Sequence, residues 1–144
     1  DALQNIASKH NIKLIYDGAH AFGCFLNGTS LLSYGDITTC SFHATKLFHT
    51  IEGGLIFSKN NEIHEEINFM KKFGHEYDIY KTIGINAKAS EFQAAMGLCN
   101  IEDIDKIIFN RKKTYNLYIG LLDECVKIPK FNNNLIYNKE WESV

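Results

Sequence analysis

A lysine and an aspartate in this sequence each follow a short apolar segment, which is where ligand chemistry is expected in a sheet protein. Asp17 comes directly after the branched run Ile12–Tyr16, and Lys46 follows the run Ile37–Phe42. In open α/β sheets the carboxyl ends of neighbouring strands meet at one crevice that collects ligands. A lysine amine in a largely dry crevice can condense with an aldehyde, because burial disfavours its charged form.

The aspartate makes this chemistry more specific. A carboxylate beside a pyridine nitrogen keeps that nitrogen protonated, and the ring can then accept the electrons of a carbanion. Each residue alone also has a simpler interpretation, since Asp17-Gly18 is a common turn pair and Lys46 could be an exposed loop lysine. Ser41 offers a hydroxyl to a phosphate oxygen, although a serine at a strand end can also cap a turn.

The elements that would position these residues follow from the spacing of apolar residues. A helix is predicted over residues 2–9, and buried strands are predicted over 12–16, 37–42 and 54–58. This order indicates an α/β sheet. A second helix is predicted from Asn61, which would cap it, followed by a long loop over residues 74–89.

A longer helix is predicted from Ser90, where Ser90 and Gln93 suit a capping box. It should reach about Glu124, with one apolar face that contains Ile101, Ile104, Ile108, Tyr115, Tyr118 and Leu122. The basic run Arg111-Lys112-Lys113 within it is typical of a solvated helix face. Pro129 and the polar stretch 132–134 favour a boundary between a domain over 1–125 and a second over 126–144. Both ends of the sequence fall inside predicted elements, so a longer chain is expected.

Composition excludes several classes of function. With 45% hydrophobic residues, 22% charged residues and a net charge of −2, the chain suits a soluble globular domain without the basic field that nucleic acid requires. The four cysteines, Cys24, Cys40, Cys99 and Cys125, form no C-x-x-C pair, and the six histidines show no metal-ligand spacing. We expect no metal, no nucleic acid and no membrane partner, and a cytoplasmic location. Dinucleotide, P-loop and nucleophile-elbow motifs are absent from the sequence.

Four segments in order resemble the DegT/StrS-type sugar aminotransferases. They are residues 14–23 (LIYDGAHAFG), 41–46 (SFHATK), 52–54 (EGG) and 84–95 (GINAKASEFQAA). The resemblance runs through about residue 125. It implies the large pyridoxal-phosphate (PLP) binding domain of an aspartate-aminotransferase-like α/β fold, a mainly parallel sheet with flanking helices, followed by the start of the small carboxy-terminal domain.

The resemblance also implies roles for individual residues. Lys46 would bond the cofactor PLP, Asp17 would pair with its pyridine nitrogen, and Ser41 would hold its phosphate. His20 would lie close to the ring and its phenolic oxygen, and Asn86 would reach the phosphate of the neighbouring subunit in a homodimer with shared active sites. Without the resemblance, His20 and Asn86 would be interpreted as ordinary turn and loop residues.

The implied reaction moves an amino group from glutamate to a keto-deoxysugar linked to a nucleoside diphosphate, with 4-keto favoured over 3-keto, in amino-sugar and surface-polysaccharide biosynthesis. A non-catalytic or regulatory relative that keeps the PLP-binding fold is the alternative, and the retained Lys46 argues against it. Related PLP-dependent sugar dehydratases have His at the lysine position. One departure is Ile51, which stands where the family often has glycine. The family's amino-terminal part and most of its small domain also lie outside this sequence.

Overall fold

The computed structural model describes residues 2–122, 126–127 and 135–137. The helices within these ranges are α1 (Ala2–Lys9), α2 (Asn61–Met70), α3 (Glu91–Glu102) and α4 (Ile104–Leu122), with a 3-10 helix over Leu31–Ser33. The strands are β1 (Ile15–Asp17), β2 (Cys24–Leu26), β3 (Thr29–Ser30), β4 (Ile37–Ser41), β5 (Gly54–Phe57), β6 (His75–Glu76), β7 (Ile79–Tyr80) and β8 (Leu135–Tyr137). Glu124, Cys125, Pro129 and residues 132–134 lie outside the described residues, and the boundary between 1–125 and 126–144 stays a prediction.

The three predicted strands form one sheet in the order β1, β4, β5. Of the three, only β4 has buried residues, so the prediction of buried strands was wrong for β1 and β5. β1 and β4 run parallel, with Asp17 opposite Thr39, and β5 is antiparallel to β4, with Leu55 opposite Cys40. The α/β class is confirmed, and the sheet combines one parallel with one antiparallel pairing. Strand β1 begins at Ile15 rather than Ile12, so the predicted strand was too long at its start.

A second sheet contains a hairpin that is missing from the elements predicted above. β2 and β3 pair antiparallel across Asn27-Gly28, where both residues have positive φ angles, 51° and 76°. Asn-Gly suits this tight turn because Asn tolerates the left-handed conformation and Gly has no Cβ to clash. Asn27-Gly28 stands between two short apolar stretches, and this pattern could have predicted the hairpin from the sequence. Strand β8 pairs with β2 on the other side.

The helices follow their capping residues closely. The Ser90 and Gln93 capping box at the start of α3 is confirmed. Asn60, rather than Asn61, caps α2, because its Oδ1 accepts the Ile63 N–H at 3.1 Å.

The single long helix predicted after Ser90 is wrong. The chain turns at Asp103, whose N–H is bonded to the Ile101 carbonyl, and α4 begins at the next residue. A short polar side chain at this point competes with the helix backbone and favours a helix start instead.

The predicted loop over residues 74–89 contains the small hairpin β6–β7. Lys72 and Asn86 form an isolated bridge at its base, which brings the two ends of the segment together. The prediction of a long loop without secondary structure was therefore wrong over residues 75–80.

Few side chains are buried in the described residues: Ala7, Cys24, Thr38, Cys40 and Phe48. Burial raises the pKa of the Cys24 thiol, with the nearby Cys40 adding to the effect, and burial also raises the pKa of Cys40. Both cysteines therefore behave as small apolar core residues. In the described part of the chain, no helix combines the length and apolar character needed to cross a membrane.

Asp36 fastens the chain that enters β1 to the start of β4. Its Oδ2 accepts the Leu14 N–H and its Oδ1 accepts the Lys13 Nζ, both at 2.9 Å. These two donors, the Leu14 N–H first, hold the pKa of the Asp36 carboxyl below its usual value. Ser58 Oγ also donates to the Asp36 carbonyl, which ties in the chain that leaves β5.

Asp36→Asn should remove a pH-dependent part of the folding stability. Because the folded pKa is lowered, the charged carboxyl stabilises the fold above the ordinary aspartate value of about 3.9, and this contribution disappears as pH falls through the lower folded value. Denaturant unfolding of the full-length protein between neutral pH and pH 3 would measure it, with the two proteins converging in acid. Lys13→Ala should keep most of the effect, since the Leu14 N–H is the larger cause. A constant difference between Asp36→Asn and wild type at every pH would contradict this.

Candidate functional site

Two chain segments leave the sheet at the same edge because β1 and β4 are parallel. Asp17 is the last residue of β1, and Ser41 is the last residue of β4. The Gly18 N–H donates to the Thr39 carbonyl at 2.8 Å, so the first segment stays against β4 as it leaves the sheet. A Cβ on Gly18 would lie 2.8 Å from that carbonyl oxygen, which requires glycine here. Asp17 and Ser41 therefore end neighbouring strands at the same edge of the sheet, but they line two different cavities.

The second segment runs from β4 to β5 as a closed loop that contains Lys46. Its base is held by Phe42 N–H donating to the Gly53 carbonyl and by Thr50 N–H donating to the Phe42 carbonyl, both at 2.9 Å. The Lys46 N–H donates to the His43 carbonyl at 2.9 Å, which makes a turn just before the lysine side chain. The loop thus fixes the direction in which Lys46 leaves the backbone.

Lys46 and His20 meet across the two segments. Lys46 Nζ lies 2.8 Å from His20 Nε2. A charged ammonium can only donate, so His20 Nε2 is the acceptor when the lysine carries its charge.

A cavity of about 290 Å³ surrounds this pair. Among the residues that line it are His20, Ser41, Thr45, Lys46 and Arg111. Three of the five residues predicted for the site, His20, Ser41 and Lys46, therefore share one cavity. Lys46 is half-buried and His20 is exposed, so these residues alone do not make the dry pocket expected from the sequence.

Asp17 lies at the neighbouring cavity rather than in that of Lys46. This second cavity, of about 280 Å³, is lined by Asp17 together with Tyr16, Tyr34, Leu26, Leu31 and other residues. Asp17 Oδ1 accepts the Ala19 N–H at 3.0 Å, which is the turn contact that Asp-Gly pairs often make. Ala19 itself lines the Lys46 cavity, so the Asp17 turn forms the wall between the two.

Asn86 is the predicted site residue that the structure does not bring to either cavity. It bridges to Lys72, and its Oδ1 accepts a hydrogen bond from Lys88 Nζ. Lys88 Nζ also lies 4.4 Å from the centre of the Phe73 ring. Asn86 is thus held on the β6–β7 segment, away from the residues predicted to act with it.

Three phenylalanines hold the two segments of the site together. The rings of Phe22 and Phe48 stack with their centres 4.4 Å apart, and Phe42 meets Phe48 edge-on at 4.9 Å. Phe22 lies two residues after His20, and Phe42 and Phe48 lie on either side of Lys46 in the sequence. The cluster therefore joins the two segments that bring Lys46 and His20 into contact. Each such aromatic pair contributes about 0.5–1.5 kcal/mol beyond its buried area.

Helix α3 supports the Lys46 loop from the other side. Gln93 Nε2 donates to the Glu52 carbonyl at 2.7 Å, and Asn100 Nδ2 donates to the His49 carbonyl at 2.8 Å. Between these contacts, Ile51 has a φ of 69°, in the left-handed region that favours glycine. The loop accommodates a branched residue in that conformation because its flanks are bonded to the helix.

Arg111 and the phenylalanine cluster were not among the predicted functional residues. The basic run Arg111-Lys112-Lys113 is exposed, as predicted for a solvated helix face, and Arg111 in addition lines the Lys46 cavity. A signal was available: Arg111 lies three residues after Ile108 and four before Tyr115, on the predicted apolar face. In the described part of the sequence, no group of three or more His, Cys, Asp or Glu side chains could hold a metal ion.

Residues 1–139 match the DegT/DnrJ/EryC1/StrS aminotransferase family, and the chain belongs to this family. The chain is 44% identical over 129 residues to the dTDP-4-amino-4,6-dideoxy-D-glucose transaminase of Shigella dysenteriae, covering 88% of this chain and 35% of that protein. It is 30% identical over 124 residues to the UDP-4-amino-4,6-dideoxy-N-acetyl-beta-L-altrosamine transaminase of Campylobacter jejuni, covering 82% and 33%. The chain thus spans about a third of the length of these curated relatives.

The fold is also similar to solved structures of this class. The structure of DesI, determined in the presence of its TDP-sugar product, superposes with a TM-score of 0.80 at 31% identity, covering 90% of this chain and 33% of DesI. The predicted family and its fold are confirmed by these likenesses.

Phe48→Ala should destabilise the fold by about 3–5 kcal/mol, since it removes a buried ring that contacts both segments of the site. Phe48→Leu keeps an apolar side chain and should cost only about 1–2 kcal/mol. Denaturant unfolding of the full-length protein would compare the two variants. Equal, small losses for both would show that the aromatic cluster does not hold the segments together.

Proposed function

We propose that the protein containing this chain is a PLP-dependent aminotransferase acting on a nucleotide-linked sugar. Glutamate and a keto-deoxysugar joined to a nucleoside diphosphate would become 2-oxoglutarate and the corresponding amino-sugar. The observation that carries the proposal is the 2.8 Å contact between Lys46 Nζ and His20 Nε2 at the carboxyl ends of parallel strands, in a chain of this aminotransferase family.

The side chains at the two cavities suit the reactive parts of PLP. Lys46 offers an amine to the aldehyde, and Ser41 offers a hydroxyl hydrogen to the phosphate while its Oγ accepts the His43 N–H at 3.3 Å. The Asp17 carboxylate, anchored through Oδ1, has Oδ2 for the pyridine nitrogen. The Lys46 cavity of about 290 Å³ is close to the lower end, roughly 300 Å³, of small-molecule sites. PLP, when bound, supplies the aldehyde that carries the amino group and a ring that takes up an electron pair.

Lys46 performs the proton transfers in this proposal. Its neutral amine removes the proton from the donor carbon that bears the amino group, and it delivers a proton to the sugar carbon that becomes aminated. His20 holds the amine in position through the contact at Nε2. Asp17 acts by charge, because a fixed carboxylate favours the protonated form of a nearby ring nitrogen.

The substrate class rests on the relatives. The two named transaminases above carry a 4-amino-4,6-dideoxy sugar in their names, one linked to dTDP and the other to UDP. Amination at C4, from a 4-keto substrate, is therefore favoured over C3, whereas the nucleotide differs between the relatives. Glutamate as donor and a cytoplasmic location belong to the same proposal.

Lys46→Ala should lower turnover by at least about 100-fold, and up to ~10,000-fold, because the proton-transferring group is lost. Reversible PLP binding should persist, and borohydride should no longer fix PLP to the protein. Lys59→Ala, which changes a lysine beyond β5 and outside the cavity, is the matched control and should be trapped normally.

Two outcomes would count against the assignment. Fixation of PLP to the Lys46→Ala variant at another lysine, such as Lys88, would show that Lys46 is not the bonding residue. A wild-type protein whose PLP absorbance does not change with an amino donor would favour the non-catalytic alternative.

The proposal includes a homodimer in which Asn86 completes the phosphate site of the partner. Asn86 does not line the Lys46 cavity of its own chain. Large apolar side chains around it are strongly exposed, with Tyr80 at 81% and Ile83 at 90%. Exposed apolar residues clustered on one segment mark a surface that another chain covers, and a second copy would bring Asn86 with it.

Mixing two inactive full-length variants, Lys46→Ala and Asn86→Asp, tests the shared site. The new carboxylate would repel the phosphate, and in a mixed dimer one site would carry both defects while the other carries neither. Random exchange should then restore about one quarter of wild-type activity, since half of the dimers are mixed and each has one intact site.

The matched control mixes Lys46→Ala with Asp17→Asn, two changes proposed to act in the same subunit. Every site in that mixed dimer keeps one defect, so no activity should return. Absence of recovery with Asn86→Asp, once subunit exchange has been shown by labelled subunits, would rule out the shared-site arrangement.

A further inference from the structure

Arg111 interrupts a stripe of α4 that is otherwise apolar. The stripe recurs every three or four residues and consists of Ile104, Ile108, Arg111, Tyr115, Tyr118 and Leu122. Ile104, Ile108 and Tyr115 of this stripe are partly buried, whereas Arg111 is exposed. Arg111 nevertheless lines the Lys46 cavity, so it can reach a ligand there.

The cavity has the character of an anion site. Its charged lining residues are Lys46 and Arg111, and its hydroxyl-bearing lining residues are Ser41 and Thr45. None of the lining residues carries a carboxylate. The ion pairs found within the described ranges involve Lys13, Lys81 and His43, and none of them includes Arg111. The planar guanidinium of Arg111 is therefore available to bind a carboxylate or phosphate with two parallel hydrogen bonds.

We infer that Arg111 binds the α-carboxylate of the amino donor, an inference that rests on the proposed aminotransferase function. An α-amino acid carries its carboxylate on the same carbon that gives up the amino group, so the carboxylate enters the cavity in which Lys46 acts. The diphosphate of a nucleotide-sugar is joined to C1, across the sugar ring from a keto group at C4. The cofactor phosphate is assigned to Ser41. Of the anions not yet assigned, the donor carboxylate is the one attached to the carbon on which Lys46 acts.

The first test measures donor binding in the full-length holoenzyme with Arg111→Gln, Arg111→Lys and the control Lys113→Gln. Lys113 lies on the same helix, is exposed and does not line the cavity. The absorbance change on adding glutamate, without sugar, gives an apparent Kd. This Kd should rise roughly 10–100-fold for Arg111→Gln. It should rise less for Arg111→Lys, because lysine keeps the charge but lacks the planar guanidinium. Lys113→Gln should stay near wild type.

The second test changes the donor instead of the protein. Isoglutamine replaces the α-carboxylate with an amide, whereas glutamine keeps it and changes the far end of the molecule. Wild type should bind isoglutamine much more weakly than glutamate, and Arg111→Gln should lose most of this preference, because the two changes remove the same contact. Glutamine should respond to Arg111→Gln as glutamate does.

Each other result overturns the inference. If the apparent Kd for glutamate is the same in Arg111→Gln as in Lys113→Gln, Arg111 has no role in donor binding. A loss confined to PLP affinity, measured by titration of the apoenzyme, would assign Arg111 to the cofactor phosphate. A loss confined to the reaction with the nucleotide-sugar would assign it to the diphosphate. A wild-type holoenzyme that responds to no amino donor overturns the proposed function itself, which distinguishes that failure from the failure of Arg111 alone.

Discussion

Parallel pairing of β1 with β4 brings two segments of chain to one edge of the sheet, and the candidate site is made where these segments meet. With Asp17 opposite Thr39, the turn that carries His20 and the loop that carries Lys46 start side by side. A slip of one residue in this register would exchange the faces of all side chains on β4 and turn Ser41 away from the site. The phenylalanine cluster then only needs to fill the space between two segments whose starting points are already fixed.

The part of the site that depends on strand ends could be predicted from sequence, and the part that depends on packing could not. Short branched runs located Asp17 and Ser41 at the sheet edge, because the apolar pattern of a strand is local. The family was recognised from four segments and is confirmed, while the roles of His20 and Asn86 came only from that resemblance and remain predictions. The contact between His20 and Lys46 and the stacking of Phe22 on Phe48 join residues 26 positions apart, and no local pattern encodes such contacts.

Helix boundaries show the same limit. The capping box at Ser90 involves residues three apart and was predicted correctly. The break at Asp103 was missed because the apolar spacing continues across it, from Ile101 to Ile104. Arg111 is exposed, as its basic run predicted, and it also lines the Lys46 cavity. The charge of the run predicted the exposure, whereas the position of Arg111 around the helix could have predicted the cavity.

Ile51 shows how a departure from the family pattern can persist. A branched residue at a φ of 69° costs on the order of 1–2 kcal/mol compared with glycine. Glycine, however, gives the unfolded chain more freedom, which opposes folding by roughly 0.5–1 kcal/mol. The two effects have opposite signs, but the strain at a positive φ is the larger, so isoleucine in place of glycine costs the fold up to about 1.5 kcal/mol. The hydrogen bonds that Gln93 and Asn100 donate to the flanks of Ile51 are the contacts that offset this cost.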